Sequence, residues 1–142
     1  MRVVMGLDAT SAGDMTVNGQ HYHGLAWPLR EVGALLEARA IHPGRSALAH
    51  LRMLSEANRI PLRRVEEVLD VVGLTDVAGQ RAGKFSFGMG QRLGIAAELP
   101  GYPGVLLFDE PVIGLDPDGI HWVRDLVKGF ASKGRTASCR AT

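Results

Sequence analysis

The sequence lacks the features that mark several classes of protein. It has one cysteine, Cys139, which excludes an internal disulfide framework and favours a reducing compartment. Its 16 lysines and arginines nearly balance 15 aspartates and glutamates, so no global field would attract nucleic acid. No apolar run approaches the ~20 residues of a membrane span. We therefore expect a chain that neither crosses a membrane nor binds nucleic acid, and 142 residues fit one ordinary domain.

A phosphate-binding loop of the form G-x-x-x-x-G-K-[ST] is also missing from the sequence. The nearest approach is AGQRAGKF, residues 78–85, where Ala78 replaces the first glycine and Phe85 replaces the final Ser or Thr. This stretch does not follow a predicted strand. We interpret it as a chance near match to the pattern that would not bind phosphates.

Apolar periodicity predicts helices through the middle of the chain. From Ser46, leucines recur at three-residue steps and predict one helix. A second helix is predicted with Pro61 in its first turn and Gly73 at its end. Its apolar stripe consists of Leu62, Val65, Leu69 and Val72. Before these helices, DMTVNGQ, residues 14–20, predicts a strand that enters a tight turn.

The stretch GVLLFDEPVIGLDP, residues 104–117, places Asp109 and Glu110 at the end of an apolar strand. Asp116 and Pro117 then supply the cap and first turn of another helix. A buried strand followed by a helix predicts an α/β fold with a parallel sheet covered on both faces.

Ligands of such sheets bind beyond the carboxyl ends of the strands, where Asp109 and Glu110 fall. Neighbouring residues of a strand point in opposite directions, which suits two tasks: one acid holds a metal shell and the other polarises a water. The alternative is that both acids only solvate the strand end and help to cap the next part of the chain.

A glycine-rich stretch, KFSFGMGQRLGIAAEL at residues 84–99, precedes this strand. Ser86, Gly88 and Gly90 lead into a helix predicted to begin near Gln91. Small residues at a helix start leave backbone N–H groups and the positive end of the dipole open to an anion such as phosphate. The alternative is that Ser86 is only an N-cap and that the glycines only allow close packing.

Taken in order, FSFGMGQRLGIA, VLLFDEP and GLDP closely resemble the signature motif, the Walker B motif and the D-loop of ATP-binding-cassette (ABC) ATPases. The form is most similar to that of bacterial drug or antibiotic exporters. The resemblance implies a partial P-loop NTPase (RecA-like) parallel-sheet core with an inserted helical subdomain. Residues 1–37 and 100–142 would belong to the core, and residues 38–99 to the helical subdomain.

The resemblance also implies roles for the acids, with ATP and Mg²⁺ as cofactors. Asp109 would hold the water shell of Mg²⁺, and Glu110 would orient and deprotonate the water that attacks the γ-phosphate. Glu37 stands where relatives carry the Q-loop glutamine. It could reach Mg²⁺ or a water, or it could be an exposed loop acid.

The signature and D-loop residues would act between two subunits. Ser86 to Met89 would contact ATP held by an opposing subunit, although Phe87 replaces the usual first glycine and Met89 the usual glutamine. The full set is Ser86, Phe87, Gly88 and Met89 for the nucleotide and Gly114, Leu115 and Asp116 for the dimer interface.

The resemblance implies two partners, a second ATP-binding subunit in a homodimer and a transmembrane permease. The chain would be cytoplasmic and peripheral at the inner face of the membrane. Because the Walker A loop is missing and the chain ends after RTASCRAT without the usual histidine, we expect truncation at both ends. None of the five histidines stands in that place: His21, His23, His42, His50 and His121.

Two functions therefore stay open. The chain is either part of the ATP-hydrolysing motor of an exporter, or a noncatalytic or decayed interaction module that does not bind ATP alone. In relatives, the VLLF strand is expected to pair with the strand that enters the phosphate loop. We therefore expect an unpaired apolar edge on this strand here, and poor solubility of the chain alone.

Overall fold

The structure is a computed structural model, and it describes residues 16, 17, 19–35 and 41–140. Strands and α-helices follow one another in the order β1 Val32–Leu35, α1 Ala47–Ala57, α2 Arg63–Val71, α3 Phe87–Ala96, β2 Val105–Asp109, α4 Pro117–Ser132 and β3 Thr136–Arg140. Single 3-10 turns lie at Tyr22–Gly24, Pro28–Arg30, Thr75–Val77 and Ala82–Lys84.

The three strands form one parallel sheet with β2 in the centre. Leu106 and Phe108 of β2 are fully buried, as a central parallel strand requires. The predicted α/β fold with a parallel sheet is confirmed. The expected unpaired edge of β2 is wrong, because β1 covers one side of it and β3 the other.

The helices and the sheet share the larger of two hydrophobic clusters, and the smaller one consists of Val17, Leu25, Val32 and Leu107. Arg92 of α3 links two of its neighbours, since its guanidinium donates to the Val72 carbonyl at 3.2 Å and lies 4.3 Å from the ring centroid of Trp122. The core cluster includes Leu51, Val65, Leu69, Leu93, Ile95, Leu106, Phe108 and Val123. No helix in the described ranges is both long and apolar enough to span a bilayer.

Local signals explain where the helices begin and end. The Ser46 hydroxyl accepts the Ala49 N–H at 3.1 Å and caps α1, so the helix predicted from Ser46 begins there. Gly73 takes φ +71° just beyond α2, the left-handed conformation that ends helices. However, α2 begins at Arg63 and not at Pro61, and Leu62 is 47% exposed, so it does not share the buried stripe.

The predicted tight turn near the start of the described residues is present. Val17 and Gln20 exchange two backbone hydrogen bonds of 2.7 and 3.0 Å, and Gly19 has φ +80°. The pairing is a single antiparallel bridge and not an extended strand. Met15 and Asn18, which belonged to the same prediction, lie outside the described residues.

Candidate functional site

The carboxyl end of the sheet carries the first predicted acid. Asp109 is the last residue of β2, and its carboxylate Oδ1 lies 4.0 Å from Nε of Arg140 at the end of β3. The Arg140 side chain is 66% exposed, so water screens this ion pair strongly. Asp109 is therefore only loosely neutralised and faces the edge where parallel sheets bind ligands.

The second acid stands on a turn and not on the strand. Glu110 has φ +51°, its N–H donates to the Arg140 carbonyl at 2.7 Å, and its carbonyl accepts the Ile113 N–H at 3.3 Å. Alternation along a strand therefore does not set the direction of Glu110, contrary to the prediction from the sequence. The left-handed backbone sets it instead, a conformation that costs a non-glycine residue about 1 kcal/mol or more.

A buried glutamine connects this turn to the glycine-rich helix. The side chain of Gln91 in α3 donates from Nε2 to the Pro111 carbonyl at 2.7 Å, and Gln91 is only 5% exposed. Pro111 directly follows Glu110, so α3 holds the backbone beside the second acid. Sequence reasoning gave Gln91 no role, although its spacing of four residues from buried Ile95 places it on the inward helix face.

The glycine-rich helix begins four residues earlier than predicted. Ser86 is its N-cap, and the Ser86 hydroxyl accepts the Met89 N–H at 3.2 Å. Helix α3 therefore starts at Phe87, and the glycines lie in its first turn. A Cβ added at Gly88 or Gly90 would meet nothing within 4 Å, so close packing within the described chain does not require these glycines.

The predicted D-loop residues contact this helix start. Gly114 has φ +75°, and a Cβ built on it would lie 2.8 Å from Cε1 of the Phe87 ring. Asp116 caps α4, since its carboxylate accepts the Gly119 N–H at 2.8 Å. The Leu115 N–H donates to the Val112 carbonyl at 3.2 Å. The structure thus brings Phe87 and Gly114 together beside the acids.

Two other stretches singled out in the sequence are the Q-loop position, Glu37, and the near match to the phosphate loop. Glu37 lies outside the described residues. The stretch at residues 78–85 follows no strand, and two of its backbone N–H groups are already used: Ala82 donates to the Arg45 carbonyl and Gly83 to the Pro43 carbonyl, both at 2.9 Å. Both observations agree with the interpretation of residues 78–85 as a chance near match that does not bind phosphates.

One buried carboxyl group that sequence reasoning missed lies against β1. Glu98 follows α3, and its Oε2 accepts the Ala34 N–H of β1 at 3.0 Å. Burial raises the pKa of Glu98 to about 7, and the hydrogen bond from Ala34 opposes that rise. Gly33 allows this approach, because a Cβ there would lie 2.6 Å from the Glu98 carbonyl oxygen.

A parallel sheet with acids at the end of its central strand, beside a capped glycine-rich helix, defines a partial P-loop NTPase fold. Residues 1–113 match the family described as ABC transporter. The chain belongs to this family.

Characterised relatives agree in sequence. The chain is 31% identical over 136 residues to the lantibiotic transport ATP-binding protein SrtF of Streptococcus pyogenes, covering 96% of this chain and 58% of that protein. It is 34% identical over 135 residues to the bacitracin transport ATP-binding protein BcrA of Bacillus licheniformis, covering 94% and 44%. The chain thus spans about half the length of these curated relatives.

Solved structures agree in fold. The ATP-binding cassette MJ0796 in a post-hydrolysis state superposes with a TM-score of 0.82 at 20% identity, covering 97% of this chain and 66% of that one. An ATP-binding subunit of an ABC transporter gives a TM-score of 0.81 at 23% identity, covering 97% and 60%.

Proposed function

We propose that the chain is the ATP-binding and ATP-hydrolysing part of an ABC exporter subunit, which couples hydrolysis to transport through a separate membrane subunit. The observation that carries the proposal is the position of Asp109 and Glu110 at the carboxyl end of the central strand, tied to α3 through Gln91. The relatives named for lantibiotic and bacitracin transport support an exporter.

The donor set at this edge suits Mg²⁺. In proteins, Mg²⁺ is usually bound by one or two carboxylates and keeps several waters and phosphate oxygens as its other ligands. Asp109 supplies such a carboxylate, and the described residues contain no group of three or more metal-binding side chains. Asp109 would hold the ion through water, and the ion would neutralise charge on the phosphates of ATP.

Glu110 is assigned as the general base. Its carboxylate would accept the proton of the water that attacks the γ-phosphate, and the left-handed turn fixes where the side chain leaves the backbone. Ser86 and Gly88, with Phe87 and Met89, would contact ATP held by a second subunit. The N–H of Gly88, at the second position of α3, has no partner within its own helix. It is therefore a donor suited to a phosphate oxygen.

The assembly follows from these assignments. Residues 1–37 and 100–142 form the ATPase core, and residues 38–99 form the helical subdomain. Gly114, Leu115 and Asp116 lie at the interface between two subunits, and Glu37 contacts Mg²⁺ or a water. The subunit works as a homodimer bound to a permease at the cytoplasmic face of the membrane.

A second function is favoured by the absence of a G-x-x-x-x-G-K-[ST] loop from the 142 residues. In that case the chain is a noncatalytic module derived from an ABC ATPase, which docks on a partner and does not bind ATP by itself.

The test uses the chain completed with a phosphate-loop segment and a terminal histidine strand from a relative. Glu110→Gln removes the base but keeps the side-chain shape, so ATP turnover should fall by about 10²-fold or more while ATP binding survives. Asp109→Asn should weaken the Mg²⁺ dependence of binding, and Ser86→Arg should block ATP-dependent dimerisation. Glu66→Gln, an exposed acid on α2, is the matched control.

Turnover of the Glu110→Gln variant at the parent rate would show that the role given to Glu110 is wrong. A completed chain that folds but binds no ATP would favour the noncatalytic module.

A further inference from the structure

The amino end of the sheet, opposite the acids, is rich in arginine. Arg30 lies two residues before β1, and Arg135 directly precedes β3. Tyr102 lies three residues before β2, with the Arg64 guanidinium 3.4 Å and the Arg135 guanidinium 5.3 Å from its ring centroid. This end of the sheet thus gathers arginines, together with the acids Glu31 and Glu67, although the chain as a whole has a net charge of only +1.

A cavity of about 240 Å³ opens at this edge. Its walls include Arg30, Arg63, Arg64, Pro100, Gly101 and Tyr102. We call this cavity the arginine pocket.

Close packing fixes the walls of the arginine pocket. Arg64 donates from Nε to the Pro100 carbonyl and from a terminal nitrogen to the Leu99 carbonyl, both at 3.1 Å. A Cβ on Gly101 would lie 2.8 Å from the Cα of Arg30, so the two chain segments touch backbone to backbone. The pocket is therefore built into the fold and does not depend on a mobile loop.

The charges of the arginine pocket are unevenly compensated. Arg64 is paired with Glu67, which also lines the pocket, and this bond lowers the pKa of the Glu67 carboxyl. Within the described ranges, Arg30 and Arg63 form no ion pair with a carboxylate, although the charge of Arg63 acts at longer range to help lower the pKa of Glu67. Arg30 also shares the Trp27 ring with Arg59, the two guanidinium carbons lying 5.6 and 5.4 Å from the ring centroid.

Like charges around one pocket repel each other, and an anion between them would relieve that repulsion. The pocket also adjoins the start of α2, where the helix dipole favours negative charge.

We propose that the arginine pocket binds a small anion that carries a phosphate group. Guanidinium groups form paired hydrogen bonds with phosphate oxygens, and two arginines without an ion pair match the double charge of a phosphate monoester. The volume suits a small ligand and not a nucleotide triphosphate with its base. This site lies at the opposite end of the sheet from Asp109, and the proposal does not depend on ATP hydrolysis.

Trp27 provides the measurement, because its ring centroid lies 5.6 Å from the guanidinium carbon of Arg30, which lines the pocket, and Trp27 is 38% exposed. The 142-residue chain carrying Trp122→Phe keeps Trp27 as its one tryptophan. Titration with inorganic pyrophosphate should change its fluorescence saturably, with a Kd of about 1 mM or tighter. Arg30→Gln and Arg63→Gln should each weaken binding about tenfold or more, as expected for a lost charged hydrogen bond.

The control is Arg124→Gln, which removes an exposed arginine from α4 and should leave the titration unchanged. Circular dichroism on each variant checks that the chain stays folded. A titration without saturation, or equal affinity in the parent and the folded Arg30→Gln and Arg63→Gln variants, would overturn the proposal.

The phosphate could belong to a lipid headgroup or to a free anion, and vesicle binding distinguishes these two sources. Vesicles of phosphatidylglycerol and phosphatidylcholine are compared with vesicles of phosphatidylcholine alone. Binding to the anionic vesicles that pyrophosphate displaces and Arg30→Gln abolishes would identify a lipid headgroup as the phosphate source. Saturable pyrophosphate binding without vesicle binding would identify a free anion. Vesicle binding that pyrophosphate does not displace would contradict a phosphate site in the pocket.

Discussion

The two ends of the three-stranded sheet present different side chains, adjacent acids at one end and a cluster of arginines at the other, and they are built in different ways. At the carboxyl end, Asp109 ends β2 and Glu110 follows it, on a turn held by backbone hydrogen bonds and by the buried side chain of Gln91. At the amino end, Arg64 reaches across the fold and binds two carbonyls directly. The carboxyl end resembles known motifs but needs groups that this sequence lacks. The amino end matches no motif, yet described residues from three segments of this chain line its pocket.

The largest expected effect concerns nucleotide affinity at the carboxyl end. Without a phosphate loop, the lysine and one or two backbone bonds to charged phosphates are lost, on the order of 4 kcal/mol or about a thousandfold in affinity. The 142-residue chain should barely bind Mg-ATP in calorimetry, whereas the chain completed with a phosphate loop should bind it. If the 142-residue chain alone bound Mg-ATP with micromolar affinity, the carboxyl end would not need the missing phosphate loop, and this prediction would be wrong.

A smaller effect is expected on stability at the amino end. Arg64→Met keeps most of the apolar stem but removes the Arg64 donor from the Pro100 carbonyl and leaves the Leu99 carbonyl with the Tyr102 N–H, so the free energy of unfolding should fall by about 1 to 3 kcal/mol. The measurement is urea unfolding. Arg63→Met, which alters an exposed neighbour, should change stability by about 0.5 kcal/mol or less. Equal losses in the two variants would contradict a structural role for the Arg64 bonds.

The smallest effect depends on pH and concerns Glu98, which binds β1 between the two ends. The folded-state pKa of about 7 lies above the ordinary value of 4.5, so the folded chain binds the proton more tightly than the unfolded chain. Stability should therefore fall as pH rises from about 4.5 to about 7, by on the order of 1 to 2 kcal/mol given partial solvent access.

Glu98→Gln should flatten this slope in unfolding curves recorded between pH 4.5 and 8. Tyr22, a described titratable group on which the Glu98 charge acts, has a raised pKa and ionises above that range. The exposed Glu66→Gln should keep the slope of the parent. If the dependence of stability on pH persisted in Glu98→Gln, it would have to arise from another titratable group.

Much of the fold follows from local chemistry in the sequence. Ser46 and Asp116 cap helices where hydroxyl and carboxylate side chains reach nearby N–H groups, and Gly73 ends α2 through its left-handed φ. Strand β1 was not predicted, because Val32–Leu35 is short and holds Gly33 and an alanine, which have low strand propensity. Tertiary pairing with β2 makes it a strand.

The parts of the two sites that could not be predicted depend on long-range contacts. Gln91 and Pro111 are 20 residues apart, and Arg64 and Leu99 are 35 apart. No periodicity or spacing rule connects such partners, since only the folded chain brings them together. The acids and Ser86 were found because their motif is continuous in sequence. The arginine pocket was not found, because its residues come from three separate segments.

The contact between Phe87 and Gly114 couples two positions that are 27 residues apart in the sequence. The aromatic ring occupies the volume that any side chain at position 114 would need. A library that randomises both positions should therefore yield folded proteins with bulk at one position or the other, and not at both. With a glycine at position 87, position 114 would be restricted only by its φ of +75°, which asparagine also tolerates. Phe87→Gly would thus widen the set of residues accepted at position 114.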